Sequence, residues 1–220
     1  MQTDLFATLT PQPERLDLAP GVVLWRQQLT TAAPALLAEL PALLACSPFR
    51  HMQTPGGHTL SVAMSNCGSL GWITDRQGYR YSPVDPQTGR PWPAIPASWR
   101  AAASAAAQAA GFADFLPDAC LINRYAPGAR MGLHQDKDEA NLDAPIVSFS
   151  FGLAARFLLG GLTRRDKVER IWLTHGDVLV WGGPARLRLH GIQAVTPGQH
   201  PLTGAYRINL TLRQAGRPQP

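Results

Sequence analysis

The sequence is poor in cysteine and contains no long apolar run. Its three cysteines, Cys46, Cys67 and Cys120, are scattered and form no C-x-x-C pair. An odd number of isolated thiols favours neither a disulfide framework nor a thiolate zinc site, and it indicates a reducing compartment such as the cytoplasm. No stretch of about 18 apolar residues occurs, and the first nine residues lack a basic start followed by an apolar core. We therefore expect neither a membrane span nor an export signal.

The composition is that of a globular protein. The 220 residues are 45% hydrophobic and 16% charged, enough for one large domain with a proper core. Twenty basic residues against 15 acidic ones give a net charge of +5, which favours an anionic partner without identifying it. A basic protein with solvated arginines would show the same balance, so charge alone does not decide the function.

Two helices are predicted in the first half of the chain. Residues 30–45 carry leucines at helical spacing, although Pro41 removes a backbone donor within that stretch. The alanine-rich stretch from Trp99 to Ala110 predicts a second helix. Ser98 is a candidate N-cap for this helix, and Gly111 would end it. Both helices would support one side of a sheet.

Two other segments of this half do not look like parts of a core. Residues 1–20 are rich in proline and predict a loose arm ahead of a single domain over residues 21–220. Residues 49–96 are rich in glycine, proline and aromatic residues and predict hairpins and long loops. Because such loops in a compact domain are usually functional, we interpret this segment as a lid.

After residue 111 the pattern changes to short strands separated by turns. Several short strands at regular spacing favour a sandwich or a barrel. The predicted strands cover residues 119–125, 146–153, 156–159, 170–173, 178–181, 186–195 and 206–212.

Alternation in two of these strands predicts a polar face. Side chains of a strand point to opposite faces in turn, and in the last strand every second residue is apolar. Ile208, Leu210 and Leu212 therefore share one face, and Arg207, Asn209, Thr211 and Arg213 share the other. Asn123 and Tyr125 share a face in the same way, and such faces line either solvent or a ligand cavity.

The residues with the clearest chemistry are His134-x-Asp136 and the later His190. Two imidazoles and one carboxylate form the ligand set of non-haem Fe(II) oxygenases, which leaves positions open for a co-substrate and O2. The short H-x-D pattern also arises by chance, so its order and strand context must support it.

The two arginines of the last strand suit a small diacid such as 2-oxoglutarate, because guanidinium groups match carboxylates. Six residue steps put the Cα atoms of Arg207 and Arg213 roughly 20 Å apart. One arginine would therefore hold the far carboxylate while the other approaches the metal end.

Longer stretches resemble the AlkB family of Fe(II)- and 2-oxoglutarate-dependent dioxygenases, and especially its bacterial nucleic-acid repair members. The similarity covers nearly the whole chain and is far more specific than H-x-D. The stretches that carry it are Ser47-Pro-Phe-Arg50, Thr54-Pro-Gly-Gly57, Ser61-Val-Ala-Met64, Leu70-Gly-Trp72, Tyr81-Ser-Pro83, Asp85-Pro-Gln-Thr88, Pro117-Asp-Ala-Cys-Leu-Ile-Asn-Arg-Tyr-Ala-Pro-Gly128, Leu133-His-Gln-Asp-Lys-Asp-Glu139, His175-Gly-Asp177, Val180-Trp-Gly-Gly183, His190-Gly191 and Arg213-Gln-Ala-Gly216.

The resemblance implies a mainly β protein of the α+β class. Its core would be a double-stranded β-helix, or jelly roll, over residues 117–214, supported by the N-terminal helices and covered by a nucleotide-recognition lid. It also implies a ligand set for each cofactor. Fe(II) would be held by His134, Asp136 and His190, and 2-oxoglutarate by Asn123, Tyr125, Arg207, Asn209 and Arg213.

The resemblance also implies a substrate for the lid. Trp72 would stack on a flipped base opposite His134, because a Watson–Crick edge cannot be reached inside a duplex. A ring-methylated adenine or cytosine is cationic, so a carboxylate in a dry pocket, Asp138, would favour it by Coulomb attraction. The residues similar to substrate contacts in the family are Trp72, Tyr79, Asp138, Arg164, Thr54 and Tyr81, of which Thr54, Tyr79 and Tyr81 would touch backbone phosphates or sugars.

The implied activity is oxidative demethylation of N-alkylated bases such as 1-methyladenine and 3-methylcytosine. Decarboxylation of 2-oxoglutarate would be coupled to hydroxylation of the methyl group, formaldehyde would leave, and the base would be restored by direct reversal. The expected partner is single- or double-stranded DNA, with RNA as a second candidate, and the enzyme is expected to be a cytoplasmic monomer. Arg188 stands where better-known relatives carry an aromatic residue, which leaves the substrate range open.

Three other functions remain open at this point. A related hydroxylase of proteins or small molecules would share the iron site but would not need Trp72 and Tyr79. A nucleic-acid binding module with an inactive site would bind single strands without releasing succinate. A zinc hydrolase could use the same three ligands but would not need Arg207 and Arg213. Removal of RNA modifications is a further variant of the same chemistry.

Overall fold

Strands dominate the protein and form two main sheets. The computed structural model describes residues 13–217. In that range three α-helices occur, α1 (Ala33–Leu37), α2 (Leu40–Cys46) and α3 (Ala97–Ala109), together with a 3-10 turn at Gly183–Ala185. The strands of the same range are β1 (Arg15–Ala19), β2 (Val22–Trp25), β3 (Ala63–Gly68), β4 (Gly71–Asp75), β5 (Gly78–Ser82), β6 (Ala119–Tyr125), β7 (Met131–His134), β8 (Ile146–Gly152), β9 (Ala155–Leu159), β10 (Glu169–Leu173), β11 (Val178–Trp181), β12 (His190–Ile192) and β13 (Arg207–Arg213).

The two sheets are antiparallel and enclose a common interior. The larger sheet has the order β1-β2-β11-β8-β13-β6-β3, and the smaller has the order β10-β9-β12-β7. Four neighbouring strands of the larger sheet, β11-β8-β13-β6, oppose the four strands of the smaller one, which is the eight-strand arrangement of a jelly roll. Strands β4 and β5 form a separate hairpin. The predicted fold class is therefore confirmed.

Helix α3 covers the outer face of the larger sheet. Trp99, Ala103 and Ala107 are spaced four residues apart and are all buried, so one face of the helix is apolar and mostly small. They pack in one core cluster with Leu210 and its neighbours on β13. The indole N–H of Trp99 donates to the carbonyl of Leu36 at 2.9 Å, which joins α1 to α3.

The single helix predicted over residues 30–45 is wrong, because two short helices occupy that segment. Pro34 and Pro41 each stand in the first turn of a helix, where a missing N–H breaks no intrahelical hydrogen bond. Pro41 therefore starts α2 and does not weaken one long helix. No helix within residues 13–217 has the length and apolar character needed to cross a membrane.

The end of α3 was predicted more accurately than its start. The helix begins at Ala97 after Pro96 and has no side-chain cap, so Ser98 lies within the first turn and is not the N-cap. Gly111 follows the C-cap with φ of +91°, the left-handed conformation that ends helices and favours glycine.

The expected loose arm is wrong for its second half. Residues 15–19 form β1, which pairs with β2, and β2 in turn pairs with β11 of the jelly roll. The prediction rested on proline content, which did not reveal the pairing partner. Residues 1–12 lie outside the described part of the chain.

The expected lid is narrower than residues 49–96. Residues 63–68 form β3, which is buried throughout and pairs with β6 at the edge of the larger sheet. The hairpin β4–β5 is the part of the segment that stands apart from the two main sheets; we keep the name lid for it, and its role as a lid stays a prediction. Of the strands predicted after residue 111, 119–125 and 178–181 are confirmed without change, whereas 186–195 shrinks to β12 and β7 was missed.

Leu210 provides a test of the packing between α3 and the larger sheet. It is fully buried, so Leu210→Ala should lower the free energy of unfolding by about 2–5 kcal/mol in a urea titration. Leu162 is 58% exposed, and the matched control Leu162→Ala should change the free energy of unfolding by less than about 0.5 kcal/mol. Equal effects of the two substitutions would contradict the described core.

Candidate active site

A cavity of about 650 Å³ lies between the two sheets. Its walls come from the inner faces of both sheets, and its mouth is formed by the hairpin β4–β5 and by the loop after β7. This volume is typical of a small-molecule site. The cavity brings together all eight residues predicted to bind metal or 2-oxoglutarate: His134, Asp136, His190, Asn123, Tyr125, Arg207, Asn209 and Arg213.

The three predicted metal ligands converge at one end of the cavity. His134 ends β7 and His190 begins β12, and antiparallel pairing places the two residues opposite each other. Nε2 of His134 lies 3.5 Å from Oδ1 of Asp136, and Nε2 of His190 lies 3.8 Å from Oδ2. One ligand atom from each residue lies within 4.8 Å of the other two, and no second group of this kind occurs within residues 13–217.

Backbone carbonyls orient both imidazoles toward this point. Nδ1 of His134 lies 2.9 Å from the carbonyl oxygen of Gly132, and Nδ1 of His190 lies 3.1 Å from that of Arg188. Because a carbonyl oxygen only accepts, each Nδ1 carries the proton and donates it. Each Nε2 then keeps a free lone pair, which is the form of histidine that binds a metal.

The electrostatics of the triad also suit a cation. Burial opposes ionisation of Asp136, but Arg213 and His190 hold the pKa of this carboxyl well below its usual range. Burial, with His134 nearby, lowers the pKa of His190 to about 4, so this ring is neutral at pH 7. Burial also disfavours a charged His134, yet the hydrogen bond with Asp136 raises its pKa. One anion and two nitrogen donors fit Fe(II) with open positions.

A buried network of charges holds Asp136 from behind. Nε and Nη2 of Arg213 donate to its Oδ2 at 2.9 and 2.6 Å. Arg213 also lies 3.3 Å from Oε1 of Glu139. That oxygen accepts from the hydroxyl of Tyr81 at 2.7 Å, and Oε2 of Glu139 accepts from Arg186 at 3.0 Å. The expectation that one arginine approaches the metal end is thus confirmed for Arg213.

Arg207 provides the cation for the other end of the cavity. Nη2 donates to Oγ of Ser150 at 2.9 Å, whereas Nε and Nη1 are buried without any hydrogen-bond partner. Within residues 13–217 no carboxylate forms a salt bridge with Arg207. A buried guanidinium with two unused donors is costly unless an anion binds it. This arrangement fits the far carboxylate of 2-oxoglutarate.

Neutral groups line the space between the two ends. Asn123 donates to Oδ1 of Asn209 at 3.1 Å, and its own Oδ1 has no partner. Asn209 in turn donates to Oγ of Ser148 at 2.8 Å. Burial raises the pKa of Tyr125 to about 12, so its hydroxyl stays protonated at pH 7 and is able to donate.

Ser148 and Ser150 are supporting residues that the sequence analysis missed. They alternate along β8 with the buried Val147, Phe149 and Phe151, so parity along this strand was the signal that could have found them. Glu139 and Arg186 were also missed. No local pattern marks these two, because they pair through the fold.

The mouth carries an aromatic pair from the hairpin β4–β5 and two charged residues from other loops, Asp138 after β7 and Arg164 between β9 and β10. The rings of Trp72 and Tyr79 stack with centroids 5.8 Å apart and an angle of 20°. Nε1 of Trp72 donates to Oδ2 of Asp138 at 2.9 Å, and Arg164 donates to the carbonyl of Leu133 at 3.3 Å. Asp138 is exposed, so the dry pocket expected around it is absent from the protein alone.

Three other predicted residues lie away from the cavity wall. The hydroxyl of Tyr81 points inward and donates to Glu139, so this geometry does not support its expected contact with phosphate or sugar, which stays a prediction. Oγ1 of Thr54 accepts from the backbone N–H of His58 in a turn, and its substrate contact stays a prediction. Nε of Arg188 donates to the carbonyl of Gly160 at 2.6 Å, which makes it a structural link.

Comparisons with known proteins agree with this geometry. The sequence profile of the 2OG-Fe(II) oxygenase superfamily matches residues 21–213. The chain is 58% identical to "Alpha-ketoglutarate-dependent dioxygenase AlkB" of Escherichia coli K12, over 97% of this chain and 98% of that protein. It is 36% identical to "DNA N(6)-methyladenine demethylase ALKBH1C" of Arabidopsis thaliana, over 90% of this chain and 49% of that protein. The solved structure of OsALKBH1 matches with a TM-score of 0.79 at 30% identity, over 91% of this chain and 100% of that chain.

The unused donors of Arg207 lead to a binding prediction. Arg207→Lys keeps the charge but removes the planar fork, so 2-oxoglutarate should bind about tenfold more weakly to the protein loaded with Mn(II). Isothermal titration calorimetry measures this, and the affinity for Mn(II) itself should change by less than about twofold. Arg100→Lys on α3 is the matched control. Unchanged 2-oxoglutarate binding in Arg207→Lys would place the far carboxylate elsewhere.

Proposed function

The chain belongs to the AlkB family of 2-oxoglutarate- and Fe(II)-dependent oxygenases, and on this premise we propose that it demethylates N-alkylated bases in nucleic acid. The enzyme is a dioxygenase that uses Fe(II), 2-oxoglutarate and O2. The proposed substrates are 1-methyladenine and 3-methylcytosine in DNA, with RNA as a second polymer. One observation carries the proposal: the mouth of the cavity that holds the triad bears Trp72, Tyr79 and Asp138.

The reaction restores the base without cutting the strand. When bound, Fe(II) with 2-oxoglutarate and O2 supplies a two-electron oxidation, which hydroxylates the N-methyl carbon as 2-oxoglutarate becomes succinate and CO2. The hydroxymethyl group then loses its O–H proton, and the C–N bond breaks. The electrons of that bond neutralise the ring nitrogen, and formaldehyde leaves. The outcome is direct reversal of the damage.

The residues of this chain bind and orient both substrates. Arg207 would hold the far carboxylate of 2-oxoglutarate, and the protonated hydroxyl of Tyr125 would donate a further hydrogen bond to it. Asn123 and Asn209 would shape the space between that carboxylate and the metal. Arg213 would keep Asp136 charged and oriented, and would add positive charge near the other carboxylate.

The lid would select the base. A flipped base would stack on Trp72 with His134 as the opposite wall, since stacking on an aromatic ring is worth about 1–3 kcal/mol per base. Oδ1 of Asp138 makes no hydrogen bond within residues 13–217, so it is free to face the cationic ring. Asp138 is exposed until a base covers it, and water exclusion would then strengthen the attraction. Arg164 would contact the phosphate or the base at the mouth.

We also propose that residues 21–220, the domain expected from the sequence, act together with strand β1 as one dioxygenase domain in a cytoplasmic monomer. Cys67 and Cys120 face each other across β3 and β6 as free thiols, which suits a reducing compartment.

A zinc hydrolase would have no use for the two unpaired nitrogens of Arg207. These buried nitrogens therefore support the oxygenase over the hydrolase.

The activity itself is tested with methylated oligonucleotides. With Fe(II), 2-oxoglutarate and O2, the wild-type protein should convert 1-methyladenine and 3-methylcytosine to the unmodified bases, as followed by mass spectrometry and formaldehyde release. His134→Ala should fall to background because the metal loses one of three protein ligands. Zn(II) in place of Fe(II) should also abolish turnover, because zinc has no redox chemistry. Activity that persists in either condition would overturn the proposal.

The role of Asp138 is tested by comparing a cationic base with a neutral one. Asp138→Asn can still accept from Trp72 but lacks the charge, so kcat/KM for 1-methyladenine should fall about tenfold. For the neutral N6-methyladenine it should change by less than about twofold. An equal loss on both bases would show that Asp138 acts through position and not through charge.

A further inference from the structure

The outer face of the smaller sheet carries an exposed group of two arginines and a tryptophan. Strand parity places Arg156 and Leu158 of β9 beside Trp172 and Arg170 of β10 on the side away from the cavity. Their neighbours Phe157, Leu159, Ile171 and Leu173 point inward to the core. Trp172 is 46% exposed, and the guanidinium carbon of Arg156 lies 4.9 Å from the centre of its ring.

This group, Arg156, Arg170 and Trp172, has a one-sided charge. On β9 and β10 no acidic residue shares this face, because Glu169 has the opposite parity on β10. Asp166 lies in the preceding turn, where it accepts from the backbone N–H of Thr163. Two cations beside a half-exposed aromatic ring suit an anionic partner that also offers a flat surface for stacking.

The outer face is continuous with the mouth of the active-site cavity. The turn between β9 and β10 carries the exposed Arg164, Arg165 and Lys167, and Arg164 lines the mouth. Arg170 follows three residues after Lys167, and Trp172 lies about 7 Å further along β10. A basic path therefore leads from the mouth over the turn to the outer face.

The face also has a recess that suits an extended chain. Gly132 forms part of the floor of a shallow groove, with Arg130, Leu158 and Gln193 on its sides. Beside this groove Gly191 pairs with Leu158, and a Cβ at position 191 would lie 2.6 Å from the carbonyl oxygen of Met131, so the close approach of β12 and β7 requires a glycine there.

We propose that this outer face binds the single-stranded part of the substrate beyond the flipped base. Phosphates would contact Arg156 and Arg170, and one base would stack on Trp172. Aromatic rings combined with cations along a path are the usual device for binding single strands without reading their sequence. The inference rests on the proposed function, since it extends the strand whose damaged base enters the cavity.

A second copy of the chain is the main competing occupant, because β10 is the edge strand of its sheet. Arg26 donates to the carbonyl oxygen of Trp172 and also to Asp177, so part of that edge is already covered. Two copies would in addition bring Arg156 and Arg170 of one face against those of the other. Charge therefore favours nucleic acid over self-association.

The test compares a long oligonucleotide with a trinucleotide. Fluorescence anisotropy would follow a thymidine oligomer of about 15 nucleotides with a central 3-methylcytosine, bound to protein loaded with Mn(II) and 2-oxoglutarate at about 50 mM salt. The double variant Arg156→Ala with Arg170→Ala should raise the Kd of the oligomer about tenfold and reduce its salt slope by about 1.4, which is 0.7 for each lost phosphate contact. Trp172→Ala should raise the Kd about fivefold or more without changing the slope.

The trinucleotide separates this inference from the proposed function. Its affinity and its turnover with Fe(II) should stay within about twofold of wild type in all of these variants, which also shows that they fold. The double variant Arg156→Lys with Arg170→Lys should keep the salt slope of oligomer binding, because both charges remain. Trp172→Phe should keep most of the affinity for the oligomer. The control Arg100→Ala on α3 should change neither quantity.

Three results would overturn the inference. In the first, the oligomer binds all variants as it binds wild type. In the second, the oligomer and the trinucleotide weaken together. In the third, sedimentation velocity shows that the wild type is a dimer and that the substitutions convert it into monomers. Absence of turnover by the wild type on either substrate would instead overturn the proposed function.

Discussion

Burial of strand β13 on both of its faces is the constraint on which the rest of the structure depends. The strand is hydrogen-bonded to β6 and to β8 along its whole length, and all seven of its residues are buried. Its apolar face closes the core under α3, while its other face carries four polar side chains that need partners. Neighbouring strands satisfy most of them, with Ser148 for Asn209 and Ser150 for one nitrogen of Arg207. The nitrogens left over on Arg207 are what make the interior a binding site.

Buried charge connects the lid to the metal end of that site. Asp136, Glu139, Arg186 and Arg213 form one network with almost no exposed side-chain surface. Loss of one partner from such a group costs about 3–5 kcal/mol, because the remaining charge is then buried alone. The hydroxyl of Tyr81 joins the network from β5, so the lid hairpin and the loop that carries Asp136 are held in a common arrangement. Pre-organisation of this kind fixes the geometry before any ligand arrives.

Prediction from the sequence succeeded where the signal is local and periodic. The alternation in β13 and β6 placed Arg207, Asn209 and Asn123 on cavity-facing sides, and strand length alone indicated that Arg207 and Arg213 lie at opposite ends of the cavity. It failed where the outcome depends on a distant partner. Strands β1 and β3 were read as an arm and as part of a lid because proline and glycine content carries no information about pairing. Pro41 was read as a defect in a helix, although its position in a first turn makes it a helix start.

The sequence by itself determined the chemistry: which residues supply nitrogen, carboxylate and guanidinium groups, and which of them share a face of a strand. Side-chain parity is a property of consecutive residues, so it survives any choice of sheet order. Tertiary structure alone decided that Arg213 holds Asp136 and that Arg207 is left with unused donors. It also decided that Tyr81 turns inward to Glu139 and that Trp172 meets Arg156 on an outer face. The metal ligands show the reason, since His190 follows His134 by 56 positions along the chain and only the pairing of β7 with β12 brings their ring centroids within 4.4 Å of each other.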